Sequence, residues 1–81
     1  MAMDIEIRYF AAARAAAGVS TSICSPGTLA SILGQISSGN PELERVIAQC
    51  SFLVDAIAAH DLNMTINAGS VIDVLPRFAG G

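Results

Sequence analysis

The sequence predicts an α+β domain in which a mixed sheet packs on one main helix, and three stretches carry that prediction. Residues 3–10 alternate apolar and polar side chains, as half-buried strands do. Leu29, Ile32, Leu33 and Ile36 form a single apolar helical stripe, and Val71–Leu75 alternates again at the other end of the chain. At 81 residues there is room for only one core, and no segment has linker composition.

In the first strand Met3, Ile5, Ile7 and Tyr9 share one face, and Asp4, Glu6, Arg8 and Phe10 share the other. Phe10 is an aromatic on the charged face. Ala11–Ala17 favours a helix of about two turns, closed by Gly18, which tolerates the left-handed cap position. Val19–Ser25 carries Val19, Thr21 and Ile23 in alternation and is followed by Pro26-Gly27, the pattern of a second strand ending in a turn. Residues 3–25 therefore predict an antiparallel pair whose connection holds the short helix.

Thr28 is positioned to cap the main helix, and Ser37-Ser38-Gly39 stops it. Asn40 and Pro41 open a further helical segment, with Glu42 and Glu44 near its positive end and Leu43, Val46 and Ile47 facing inward. Ser51–Ala56 reads as a short strand with Phe52 and Val54 on one face. Ile57–His60 starts another after a bend at Asp55-Ala56, and Asn67–Ser70 is a turn. In the last strand Ile72 and Val74 face one way and Val71, Asp73 and Leu75 the other. Pro76, which cannot donate to a ladder, ends it. Pairing of this strand with the first is the natural solution in so small a sheet, and it sets Phe10 and Leu75 on one outer face as a candidate apolar patch. Residues 1–76 are thus read as the domain and 77–81 as a flexible tail.

Composition removes several classes of function. All four basic residues are arginines, Arg8, Arg14, Arg45 and Arg77, against seven acids, for a net charge of −3. Nucleic acid, which needs a clustered basic face, is not an expected partner. Unbroken apolar runs reach about five residues, far short of the roughly 20 that span a bilayer, so no membrane association is expected. The opening residues lack a basic segment ahead of an apolar stretch, which predicts a cytoplasmic protein. Cys24 and Cys50 are too few for a disulfide scaffold and read as small buried hydrophobes, with a sulfur-relay role as the alternative. A single His60 leaves a structural zinc site without ligands. No spacing suggests a nucleophilic triad, the acids show no desolvated pairing and most read as surface charges, and no catalytic group of the chain's own is expected. There is no lysine, so no side chain offers an amine to an acyl group.

What remains unusual is the end, Gly80-Gly81. At about 7% glycine, such a pair arises by chance in roughly one protein in 200. Glycine has no Cβ, so an extended diglycine can thread a narrow channel and present its terminal carbonyl from either side. That carboxylate is inert until activated, for instance as an acyl adenylate. A tail that follows a rigid strand beside an apolar patch suits an acyl or sulfur carrier.

The opening Ile5–Gly18, with a strand ending in an aromatic and Ala before an Arg-containing helix and a Gly, resembles the start of the small subunit of molybdopterin synthase, the MoaD family of sulfur carriers related to ThiS. The ending Ile66–Gly81, with its turn, strand, proline and diglycine, is similar to that family's close. The likeness departs at Ala68 and Ser70, where the family usually has acids flanking the glycine; at Arg77, where a second proline is common; and at Val54-Asp55, where Val-Asn often stands.

This resemblance implies a β-grasp, ubiquitin-like fold and a cycle run by partners. An ATP-dependent activating enzyme adenylates the Gly81 carboxylate, and a sulfur donor converts it to a thiocarboxylate. The large subunit of molybdopterin synthase then uses that sulfur to form the dithiolene of the molybdenum cofactor. The implied roles are Gly81 as the group acted upon, Gly80 as access, and Pro76, Arg77, Phe78 and Ala79 as an extended lead. Phe10 and Leu75 would be apolar contacts to the large subunit. The chain itself would bind no cofactor and no metal, ATP being used by the activating partner. A carrier for thiazole or cysteine synthesis shares every feature of the tail, and a β-grasp interaction module with an inert tail is the alternative from a different class.

Overall fold

A computed structural model describes residues 4–77 of the chain. The elements follow the order β1 (Ile5–Tyr9), α1 (Ala11–Ala17), β2 (Thr21–Cys24), β3 (Gly27–Thr28), α2 (Leu29–Ser37), α3 (Pro41–Ile47), β4 (Cys50–Val54), β5 (Ile57–Ala59), β6 (Thr65–Ile66) and β7 (Val71–Pro76). Five strands form one sheet in the order β2-β1-β7-β4-β5, and β3 and β6 form a separate two-stranded ribbon. β1 and β7 are parallel neighbours at the centre, while the β1–β2, β7–β4 and β4–β5 pairs are antiparallel. The sheet is therefore mixed, as expected, and the last strand does lie beside the first.

The alternation in β1 is realised residue by residue: Ile5, Ile7 and Tyr9 are buried, and Glu6 and Arg8 are exposed. Ile72 and Val74 of β7 and Phe52 of β4 are buried on the same inner face. Leu29, Ile32 and Leu33 of α2 and Leu43 and Ile47 of α3 close the core over them. Burying an aliphatic side chain of this size contributes about 1.5–3 kcal/mol, which makes this single layer of contacts the main support of the fold.

The caps are those the sequence offers. Gly18 takes φ 78° and its N–H donates to the Arg14 carbonyl, ending α1. The Thr28 hydroxyl accepts from the Ser31 N–H at 3.2 Å. Asn40 accepts from the Leu43 N–H at 3.0 Å, while its Nδ2 donates to the Ala16 carbonyl at 3.0 Å and so ties α3 to α1.

Some expectations are corrected. The second strand is shorter than Val19–Ser25, and its outward positions hold the β-branched residues, with Ile23 64% exposed while Cys24 is buried. Strand propensity and burial separate here because β2 is an edge strand, where backbone pairing suffices. Pro76 does not lie beyond the last strand but is its final residue, opposite Cys50, where its missing N–H costs nothing in the interior of the ladder. The β3–β6 ribbon has no signal in the sequence, since two residues per strand leave no periodicity to read.

Candidate functional site

The strand that leads to the C-terminus also carries the patch. β7 runs up the centre of the sheet, and the Phe10 N–H donates to the Val74 carbonyl at 3.3 Å, extending the β1–β7 ladder by one step. Phe10 is extended at φ −125° and ψ 148°, so the strand alternation continues through it and its side chain joins the outer face of Arg8. It is 41% exposed, and Leu75, which follows Val74 on β7, is half-buried on the same face. The expected patch is thus present, at the end of the sheet from which the chain leaves.

Pro76 is half-buried and Arg77 is exposed, with the Arg77 N–H donating to the Gln49 carbonyl at 3.4 Å. Beside this root a cavity of about 300 Å³ is bounded by Ala12, Glu42, Arg45 and Val46 together with Pro76 and Arg77. Arg77 thus forms part of the wall of that cavity. The other tail positions, Phe78, Ala79, Gly80 and Gly81, lie outside the described residues, so of the expected tail over 77–81 only its first residue has a described place.

The reading of the acids as surface charges is corrected at Asp73. Its side chain is 10% exposed, and both oxygens are engaged by Arg8, Nε to Oδ1 at 2.6 Å and Nη2 to Oδ2 at 3.0 Å. The two residues are direct partners in the parallel register, so the outward carboxylate is covered by the guanidinium beside it. The clue was available in the sequence: once the first and last strands pair, Arg8 and Asp73 fall on the same face as Phe10 and Leu75.

The cysteines are poor candidates for chemistry. Cys24 is buried and Cys50 half-buried, and burial pushes both thiols above their ordinary range; Asp4 adds to the effect at Cys24. The Cys50 thiol donates to the Val46 carbonyl at 3.2 Å. A nucleophilic or relay thiol needs the opposite shift, toward thiolate. Cys50 and His60 line a second cavity of about 510 Å³ along the β5 edge, whose walls are mainly apolar, including Leu33, Phe52 and Leu62. Among the described residues no three His, Cys, Asp or Glu side chains stand together to hold a metal ion, and no helix is long and apolar enough to cross a membrane.

Comparison with known proteins gives the arrangement a context. The ThiS family model matches residues 7–81. Among solved structures, SAMP1 from Haloferax volcanii is 25% identical with a TM-score of 0.82, covering 96% of this chain and 99% of that one. A putative molybdopterin converting factor subunit 1 from Pyrococcus furiosus is 16% identical with a TM-score of 0.81, covering 94% and 99%. The complex of subunits 1 and 2 of molybdopterin-converting factor from Helicobacter pylori provides a match at 23% identity and a TM-score of 0.73, covering 98% and 100%. The last two likenesses speak for the fold alone, which is the β-grasp arrangement expected. No curated protein matches the chain.

Proposed function

This chain belongs to the ThiS family, whose members are ThiS/MoaD-like sulfur carriers, and from that premise we propose that it carries sulfur on Gly81 for the synthesis of the molybdenum cofactor. The observation that carries the reading is positional. β7 ends at Pro76, one residue past Leu75, and its Val74 carbonyl accepts from the Phe10 N–H, so one end of the sheet offers both a docking patch and the described root of the tail.

The domain, read as residues 1–76, presents the tail over 77–81 as a substrate. An activating enzyme uses ATP to join AMP to the Gly81 carboxylate, releasing pyrophosphate. A sulfur donor at the sulfide level then displaces AMP, leaving a thiocarboxylate. Its sulfur attacks the molybdopterin precursor in the large synthase subunit, and water cleaves the resulting acyl–sulfur bond to restore the carboxylate. Gly80 keeps the approach to that carbonyl open. Pro76, Arg77, Phe78 and Ala79 span the partner's entrance, and Phe10 and Leu75 seat the body. On this reading the chain itself supplies no acid, base or metal, and the cycle runs in the cytoplasm.

Reconstitution distinguishes this pathway from thiazole or cysteine synthesis. The thiocarboxylated chain, mixed with a large synthase subunit and precursor, is expected to yield the dithiolene product; transfer only to a thiazole or cysteine synthase would overturn the assignment. A second reading draws on the likeness to SAMP1, a small archaeal modifier protein: attachment of Gly81 to amines of other proteins. Having no lysine, the chain would then be attached as single units and not as side-chain-linked chains of itself.

A further inference from the structure

The outer face of the central sheet is uncovered among the described residues: the helices pack on the other side, and Glu6, Arg8, Thr21 and Ile23 on this one are exposed. Asp73 is the single buried residue of its outward row, because Arg8 lies over it. Two of the five guanidinium N–H groups bind Asp73, leaving three that point away from that carboxylate and meet no other acceptor among the described residues. The fork is held in one orientation by its two bonds. It sits one residue pair away from the Phe10–Leu75 patch, so a partner that covers the patch also covers Arg8.

Desolvating three unmet donors of a charged group is costly, so whatever covers Arg8 must bring an acceptor. The local charge says which kind. Arg8 already shares the face with two carboxylates, Asp73 opposite it and Glu6 two residues before it. A third carboxylate would meet a net negative row, whereas an uncharged oxygen meets no repulsion. We propose that Arg8 is a specificity-determining contact of the docking face, and that the partner presents an uncharged acceptor, a main-chain carbonyl or a carboxamide oxygen, to its free N–H groups. The inference rests on the carrier reading above and adds the chemistry by which the partner is recognised.

The test uses the full chain and a purified large synthase subunit, with affinity measured by calorimetry at about 0.05 and 0.5 M salt, where screening lengths differ several-fold. Arg8→Leu alone strands the buried Asp73, so the informative variant is Arg8→Leu with Asp73→Leu, which keeps the face filled and free of unpaired charge. The expected result is binding about tenfold weaker, the order set by hydrogen bonds to a charged group, with an unchanged melting temperature. The parent's affinity is expected to vary less than about threefold between the two salt concentrations. A double variant that binds as tightly as the parent overturns the inference, as does an affinity that collapses at high salt. If Phe10→Ala still weakens binding in the first of those cases, the carrier reading stands while the Arg8 contact falls. A parent that does not bind at all overturns both.

Discussion

Ser70 donates its hydroxyl to Asp55 Oδ2 at 2.9 Å, and the Val71 N–H donates to Asp55 Oδ1 at 3.0 Å, so the β4–β5 turn is tied to the turn that launches β7. These are two of the positions at which the sequence departs from the family it resembles, where an amide usually stands at 55 and an acid at 70. Donor and acceptor have exchanged sides. Ser70→Asp would therefore set two carboxylates against each other and is expected to lower stability by about 1 kcal/mol. Adding Asp55→Asn should recover most of it, a coupling read from urea midpoints of the three variants.

The same turn stores strain. Asp55 and Ala56 both have positive φ, 50° and 68°, the geometry of a two-residue hairpin turn in which the second position favours glycine. Ala56→Gly is expected to stabilise the domain by about 0.5–1 kcal/mol, with the gain seen as a higher urea midpoint and an unaltered slope.

Alkaline pH should weaken the fold. Burial raises the Cys24 and Cys50 thiols and, more than the hydrogen bond to Ser22 offsets, the Tyr9 hydroxyl. A raised folded-state value means that the native chain holds these protons longer than the unfolded chain does. Their contribution is complete below the unfolded thiol value of about 8.5 and is lost as pH rises through the higher folded values. Urea midpoints measured from pH 7 upward should fall beyond about pH 8.5. At neutral pH a thiol reagent should label the native protein far more slowly than the unfolded one, and rapid labelling of either cysteine would restore the relay alternative.

Docking and folding should separate by residue. Ile72 has no exposure, and Ile72→Ala is expected to cost about 2–5 kcal/mol, a large share of the stability of a domain this small. Phe10 is 41% exposed, so Phe10→Ala should change the urea midpoint far less while weakening binding to the large subunit. Leu75→Ala should behave similarly, and adenylation should survive both.

The legible part of the fold was the part written in periodicity. β1, α2 and β7 each carry a full cycle of inward and outward positions, and their buried apolar residues are ones the pattern names, while the buried Ser37 and Asp73 are not. Caps at Gly18, Thr28 and Asn40 were legible because each needs one residue type at one position. The β3–β6 ribbon was not, since its pairing is set by α2 and the chain around Met64, where the Leu29 N–H donates to the Met64 carbonyl. At the site, the neighbourhood of Phe10 and Leu75 followed from strand pairing, but the burial of Asp73 required the register: one residue of slip would have moved Arg8 away from it.

The central claim is that Gly81 is a loadable terminus, and intact-mass analysis after incubation with ATP, an activating enzyme and a sulfur donor tests it most directly. The account predicts the mass gain of one oxygen replaced by sulfur, localised to Gly81 and lost when a residue is appended after it or Gly80 is deleted. An unchanged mass under conditions that load a known sulfur carrier, or sulfur found on a cysteine instead, would contradict it.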